Sequence, residues 1–265
     1  MALECRQFDV AQFLVEHGAN LAMLGSILLY HASIRGHLGL IRALVERGVS
    51  AAAQGQGVST ALDGASQWGH LDIARFLVEH GANAAAQDCW GSTPLHGASR
   101  RGHLDLAQFL VEHGANAAAR DQDGSTPLHE ASQRGHLDIA RFLVEHGANA
   151  AAEDQRGSTP LHQASQRGHL DLARFLVEHG ANAAARDQDG STPLHEASGQ
   201  GHLDVARFLI DHGANAAAQD QGGSTLIHQA SQQGHLDLAQ FLAERSANVA
   251  AHGTPQIQQE LRGLL

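Results

Sequence analysis

Histidine is the side chain through which this sequence could most readily do chemistry. Twenty occur in 265 residues, and imidazole can act as metal ligand, general base or proton relay. All but two fall into three recurring columns. One holds His96, His129, His162, His195 and His228; a second holds His37, His70, His103, His136, His169, His202 and His235; the third holds His17, His80, His113, His146, His179 and His212. Successive members of a column on stacked helices stand about 8–10 Å apart, whereas ligands of one zinc ion lie within ~4 Å of one another. The columns therefore predict no metal site. They predict a structural role, bonding helix ends and loops whose polar groups lack partners within the helix.

A catalytic reading meets the same obstacle. The acids that vary from copy to copy, Asp123, Glu130, Asp189 and Glu196, sit on a repeated polar surface without a unique partner to tune them. Glycine follows the period of the turns rather than forming a phosphate loop, and neither a Ser-His-Asp arrangement nor a zinc cysteine cluster is present. The chain is expected to be no enzyme and to need no cofactor. A net charge of −11 argues against nucleic acid, because phosphate binding rests on cations that displace counterions. No run of about 18 apolar residues would span a membrane, and Met1-Ala2-Leu3-Glu4-Cys5-Arg6 lacks the apolar stretch of a signal peptide. Cys5 and Cys89 lie more than two repeats apart, too far for a disulfide. A cytoplasmic, intracellular monomer is expected.

The elements that position these residues follow from the period. Thr93, Thr126, Thr159 and Thr192, each followed by proline, are 33 residues apart, the interval of a stacked repeat array. In the copy from Asp121 to Glu153, Asp121-Gln122-Asp123-Gly124 is a turn-forming tip. Thr126 suits an N-cap and Pro127 the first helical position. Small Ala131 and Ser132 permit close helix approach, and Gly135 ends the short helix. Leu137, Ile139, Ala140, Phe142, Leu143 and Val144 form the apolar stripe of a second helix, which Gly147 closes. Arg141 precedes Glu145 by four residues, as Arg75 precedes Glu79, Arg174 precedes Glu178 and Arg207 precedes Asp211, predicting weak exposed pairs.

The ends depart from the pattern. The chain is expected to begin inside a repeat spanning 1–21, followed by a degenerate repeat over 22–54 with a shortened finger around Met23, Leu24 and Gly25. Regular copies are read at 55–87, 88–120, 121–153, 154–186, 187–219 and 220–252. Ser246 replaces the closing glycine of the last, and 253–265 is read as a capping helix with Ile257, Leu261 and Leu264 on one face. The whole is read as one repeat domain over 1–265.

Thr-Pro-Leu-His opening one helix, Gly-His-Leu-Asp opening the next, and the closing Leu-Val-Glu-His-Gly-Ala-Asn closely resemble the ankyrin repeat. The resemblance implies an all-α solenoid of stacked helix-turn-helix units that project β-hairpin or turn fingers. It also implies a protein-binding module with a concave, finger-bearing contact face. Carried to the matching positions here, contact residues would include Trp90, Arg100, Arg101, Gln122, Asp123, Glu130, Arg134, Arg156, Gln163, Arg167, Asp189 and Glu196. The residue after the Thr-Pro-Leu-His histidine is usually apolar in the family. Here it is Gly97, Glu130, Gln163, Glu196 and Gln229, which makes the groove hydrophilic. Trp68 and Trp90 with Arg100 and Arg101 supply the kinds of side chain that anchor interfaces, so the N-terminal half is the expected centre of binding. Alternatives are a consensus-engineered or recently amplified scaffold without a natural partner, a module of a larger receptor or regulatory protein, and an enzyme with a site in the groove.

Overall fold

The computed structural model describes residues 11, 13–18, 21, 24–53 and 59–250, with side chains to 247. The expected capping helix over 253–265, most of the incomplete first repeat and the finger around Met23 lie outside them. Two compact units divide the chain, Met1–Pro127 with Glu145–Gly147, and Leu128–Val144 with Ala148–Leu265.

In the first unit the helices are α1 (Gly25–Arg35), α2 (Leu38–Glu46), α3 (Ala61–Trp68), α4 (Leu71–Glu79), α5 (Pro94–Arg101) and α6 (Leu104–Glu112). Each pair is one repeat. The inner helices α1, α3 and α5 pack side by side, as do the outer helices α2, α4 and α6. The second unit begins with α7 (Pro127–Arg134), all but Pro127, and α8 (Leu137–Glu145), all but Glu145. It continues through α9 (Pro160–Gln166), α10 (Leu170–Glu178), α11 (Pro193–Gln200), α12 (Leu203–Asp211), α13 (Leu226–Gln232) and α14 (Leu236–Ala250). Inner helices α9, α11 and α13 again stack in order.

Local sequence explains where each helix starts and stops. Thr192 caps α11, its Oγ1 accepting from the His195 amide at 3.4 Å while Pro193 fills the first helical position. At the far end of outer helix α6, Gly114 takes φ +94° and Ala115 N–H donates to the Leu110 carbonyl at 2.9 Å, a glycine stop. Ser246 cannot adopt that conformation cheaply. Helix α14 therefore runs on through Ser246 to Ala250, and the Ser246 hydroxyl donates to the Ala216 carbonyl at 3.1 Å. The fingers are turns: Asp121 Oδ1 accepts from the Asp123 and Ser125 amides at 3.0 and 2.8 Å. Among the described residues they carry one paired isolated bridge, Gln219 with Thr225, and no extended ladder.

Close approach between repeats centres on the glycine before each Gly-His histidine. His103 lies over Gly69 and His202 over Gly168, and His202 Nε2–H donates to the Gln166 carbonyl of the preceding repeat at 3.1 Å. The predicted i, i+4 pairs on the outer helices are not formed. Arg75, Arg141, Arg174 and Arg207 instead place their guanidinium groups 4.5–5.1 Å from the rings of Phe109, Phe175, Phe208 and Phe241 in the following repeats. Stacking on a neighbouring ring is the better use of a planar cation, since an acid four residues C-terminal is the weaker order for such a pair. Asp211 meets Arg245 at 3.9 Å.

Gly69 has φ +76°, and a Cβ there would lie 2.6 Å from His103 Cε1. Gly69→Ala is expected to cost about 2 kcal/mol in urea melts. Gly97, inside α5, would place its Cβ no closer than 3.5 Å to any neighbour, so Gly97→Ala should raise stability by about 0.5–1 kcal/mol. Equal effects from the two substitutions would refute this account.

Candidate functional site

The inner helices present their partly exposed residues on one face of each unit, between fingers at one end and the Gly-His turns at the other. What holds this face in place is the first histidine column. In the first unit, His96 Nδ1 accepts from the Thr93 amide at 3.1 Å and its Nε2 donates to the Ser125 carbonyl of the next finger at 3.2 Å. Because a backbone amide can only donate, Nδ1 is the bare nitrogen and the proton sits on Nε2. The same arrangement recurs in the second unit at His162, with Thr159 and Ser191. The third column serves the outer helices, as in His113, whose Nδ1–H donates to the Phe109 carbonyl at 2.8 Å while its ring rests against Phe109. Among the described residues no group of three or more His, Cys, Asp or Glu side chains is placed to hold a metal ion.

The first column departs from the rule at His195, whose Nε2 lacks the bond to the next finger, and at Asp63, where the residue itself changes. Thr60 is followed by Asp63 where the other copies carry histidine, and Asp63 Oδ2 accepts from both the Thr60 amide and hydroxyl, at 2.7 and 2.9 Å. Burial pushes this carboxyl up to about 6 against those bonds, with Asp88 adding to the rise. Sequence reading passed over Asp63, although its alignment with His96 was visible.

Of the expected contact residues in the first unit, Trp68 and Arg101 are brought together. The Arg101 guanidinium lies 5.1 Å from the Trp68 ring centroid, and Trp68 remains 49% exposed. Trp90, 69% exposed, sits on the finger beyond the opposite end of α5 from Arg101, an eight-residue helix of ~12 Å. Gln122 is taken up by that finger: its amide donates to the Trp90 carbonyl and its Nε2 to the Cys89 carbonyl, both at 2.8 Å. Asp123 is exposed at the tip and Arg100 half-buried.

In the second unit Arg134, Arg156, Arg167 and Asp189 are exposed, and Glu130, Gln163 and Glu196 are half-buried along the inner helices. Gln166 Nε2 donates to Glu196 Oε2 at 2.8 Å. Burial holds the Glu196 carboxyl above its ordinary range against that bond. Sequence reasoning missed the polar pocket beside Glu196, lined by Gly199, Gln229 and Gln232. Its signal was Gly199, which stands where sister repeats carry Gln133 and Gln166.

Burial also lowers the pKa of His162, His169 and His195. Their folded values lie below the unfolded value of about 6.5, so the unfolded chain binds more protons as pH falls through 6.5. Their contribution to stability is complete above that value and declines below it. Asp63 acts with the opposite sign, since its raised pKa lets the folded state take up a proton first below about pH 6. With three histidines against two carboxyls, Asp63 and Glu196, the melting midpoint is expected to be lower at pH 5.5 than at 7.5, and Asp63→Asn should steepen the fall. A higher midpoint at pH 5.5 would refute the assignment.

A family model described as ankyrin repeats in three copies matches the chain over residues 1–88, 82–154, 148–220 and 182–253. No curated protein matches the sequence.

Proposed function

The chain belongs to the ankyrin repeat family, whose repeats are generally protein–protein interaction modules, and from that premise we propose that it is a non-catalytic scaffold that binds a protein partner through its inner-helix and finger face. One observation carries the reading: two indoles stand exposed, Trp68 at 49% and Trp90 at 69%, on repeats whose other surface positions are mostly Gln, Asp, Glu and Ser. Hydrated polar side chains lose little by staying in water, whereas indoles gain by leaving it, and such residues with arginine dominate binding energy. The Arg101 guanidinium stacked on Trp68 gives that end of the groove a rigid, amphipathic anchor. Trp90 forms a second anchor on the fingers, about one inner-helix length away, so the partner spans the face from Gly-His turn to finger tip. No helix among the described residues is long and apolar enough to cross a membrane.

Affinity capture with the purified chain, followed by calorimetry on the captured protein, tests this. Trp90→Ala is expected to cost on the order of 2 kcal/mol in affinity with little change in melting midpoint, because the side chain is largely exposed. Trp68→Ala should weaken binding comparably. If both are silent while Gln155→Ala and Gln163→Ala each cost as much, the anchors lie on the central repeats and the proposal fails.

A further inference from the structure

Inner helix α11 differs from α7 and α9 at Gly199, where those helices carry Gln133 and Gln166. A Cβ at Gly199 would meet nothing within 4 Å. The missing side chain leaves a polar cavity of about 270 Å³ between α11 and α13. Its walls are rich in acceptors. Gln232 turns its amide nitrogen to His228 Nε2 at 2.8 Å, and Gln229 turns its nitrogen to Asp220 Oδ2 at 3.4 Å, which leaves each carbonyl oxygen, and the second N–H of each amide, for a ligand. Glu196 Oε2 is engaged by Gln166, which leaves Oε1.

Positive charge is missing from this cavity. No arginine lines it, and the chain contains no lysine at all. The one imidazole, His195, is 2% exposed; its Nδ1 accepts from the Thr192 amide at 3.2 Å, so Nε2 carries the proton and is unpartnered, and burial keeps the ring neutral. An anion would meet the Glu196 carboxylate, and an apolar group would strand the acceptors. The Glu196 carboxylate in a cavity without positive charge selects a cation, and one that carries several N–H donors, a guanidinium or ammonium group, also meets the Gln229 and Gln232 oxygens. Resting on the reading that this face binds a protein, we infer that the Gly199 pocket receives the cationic side chain of an arginine or lysine of that partner. Glu196 is the counter-ion, and the Gln229 and Gln232 oxygens take the remaining N–H groups in charge-assisted bonds.

The test is an NMR titration of the ¹⁵N-labelled full chain with the blocked peptide Gly-Gly-Arg-Gly-Gly, its lysine counterpart, and its citrulline counterpart, which keeps the shape of arginine without the charge. Arginine or lysine is expected to move the Gly199 amide and the Gln229 and Gln232 side-chain signals, and to lower the Glu196 carboxyl pKa. Citrulline should bind about tenfold more weakly or worse. Gly199→Gln, which restores the side chain of the sister repeats, and Glu196→Gln should each weaken the arginine peptide by a similar factor, with melts confirming that both variants fold. Equal binding of citrulline, shifts confined to other residues, no response to either cation, or undiminished binding to Gly199→Gln would overturn the inference. A captured partner that binds wild type and Gly199→Gln equally overturns the pocket but leaves the partner-binding reading intact. Arginine binding at the pocket without any protein partner does the reverse.

Discussion

A neutral imidazole with two assigned nitrogens is the interaction on which the rest of each unit depends. At His96, one nitrogen accepts the Thr93 amide that the start of helix α5 leaves unpaired, and the other donates to the finger of the next repeat. A single buried side chain thus caps its own helix and fixes its neighbour. Histidine suits this role because its two ring nitrogens can accept and donate at once. An aspartate in the same column, Asp63, keeps the cap at Thr60, but with a shorter side chain and a charge that burial disfavours.

The second constraint is glycine at the Gly-His turn. The left-handed backbone at Gly168 lets the His202 ring sit where a Cβ would be, 2.5 Å from Nδ1. This contact and the imidazole cap together set the spacing between repeats. Fingers are then tied by their own backbone, as where Gln188 N–H donates to the Arg156 carbonyl and its side chain to the Gln155 carbonyl. Such ties convert several polar residues that look like free contact groups into parts of the frame. The frame leaves unused Trp68 under Arg101, Trp90 at a finger tip, and the oxygens around Gly199.

The expected weak ion pairs of the outer helices show how a local rule is overridden. Arg141 and Glu145 are neighbours on one helix, yet the guanidinium lies over Phe175 of the next repeat. Stacked repeats bring a flat aromatic face within reach of every such arginine. The packing gain is shared between helices, whereas the i, i+4 pair would be hydrated on both sides.

Much of this fold was legible in the sequence because its determinants are local and repeated. Thr-Pro, the glycine stops and the Gly-His turns each act within a few residues, so the 33-residue period exposes them together with the helices they delimit. The absence of a glycine at Ser246 was equally visible, and only the fold showed that the helix therefore continues to Ala250. The tertiary structure alone decided which exposed residues meet. The separation of Trp68 from Trp90, the commitment of Gln122 to Cys89, and the acceptor-lined opening at Gly199 all depend on contacts between residues about 30 or more positions apart or on the space between two helices. A one-residue change such as Gln to Gly leaves the repeat pattern intact, and its consequence appears only where neighbouring helices fail to fill the gap.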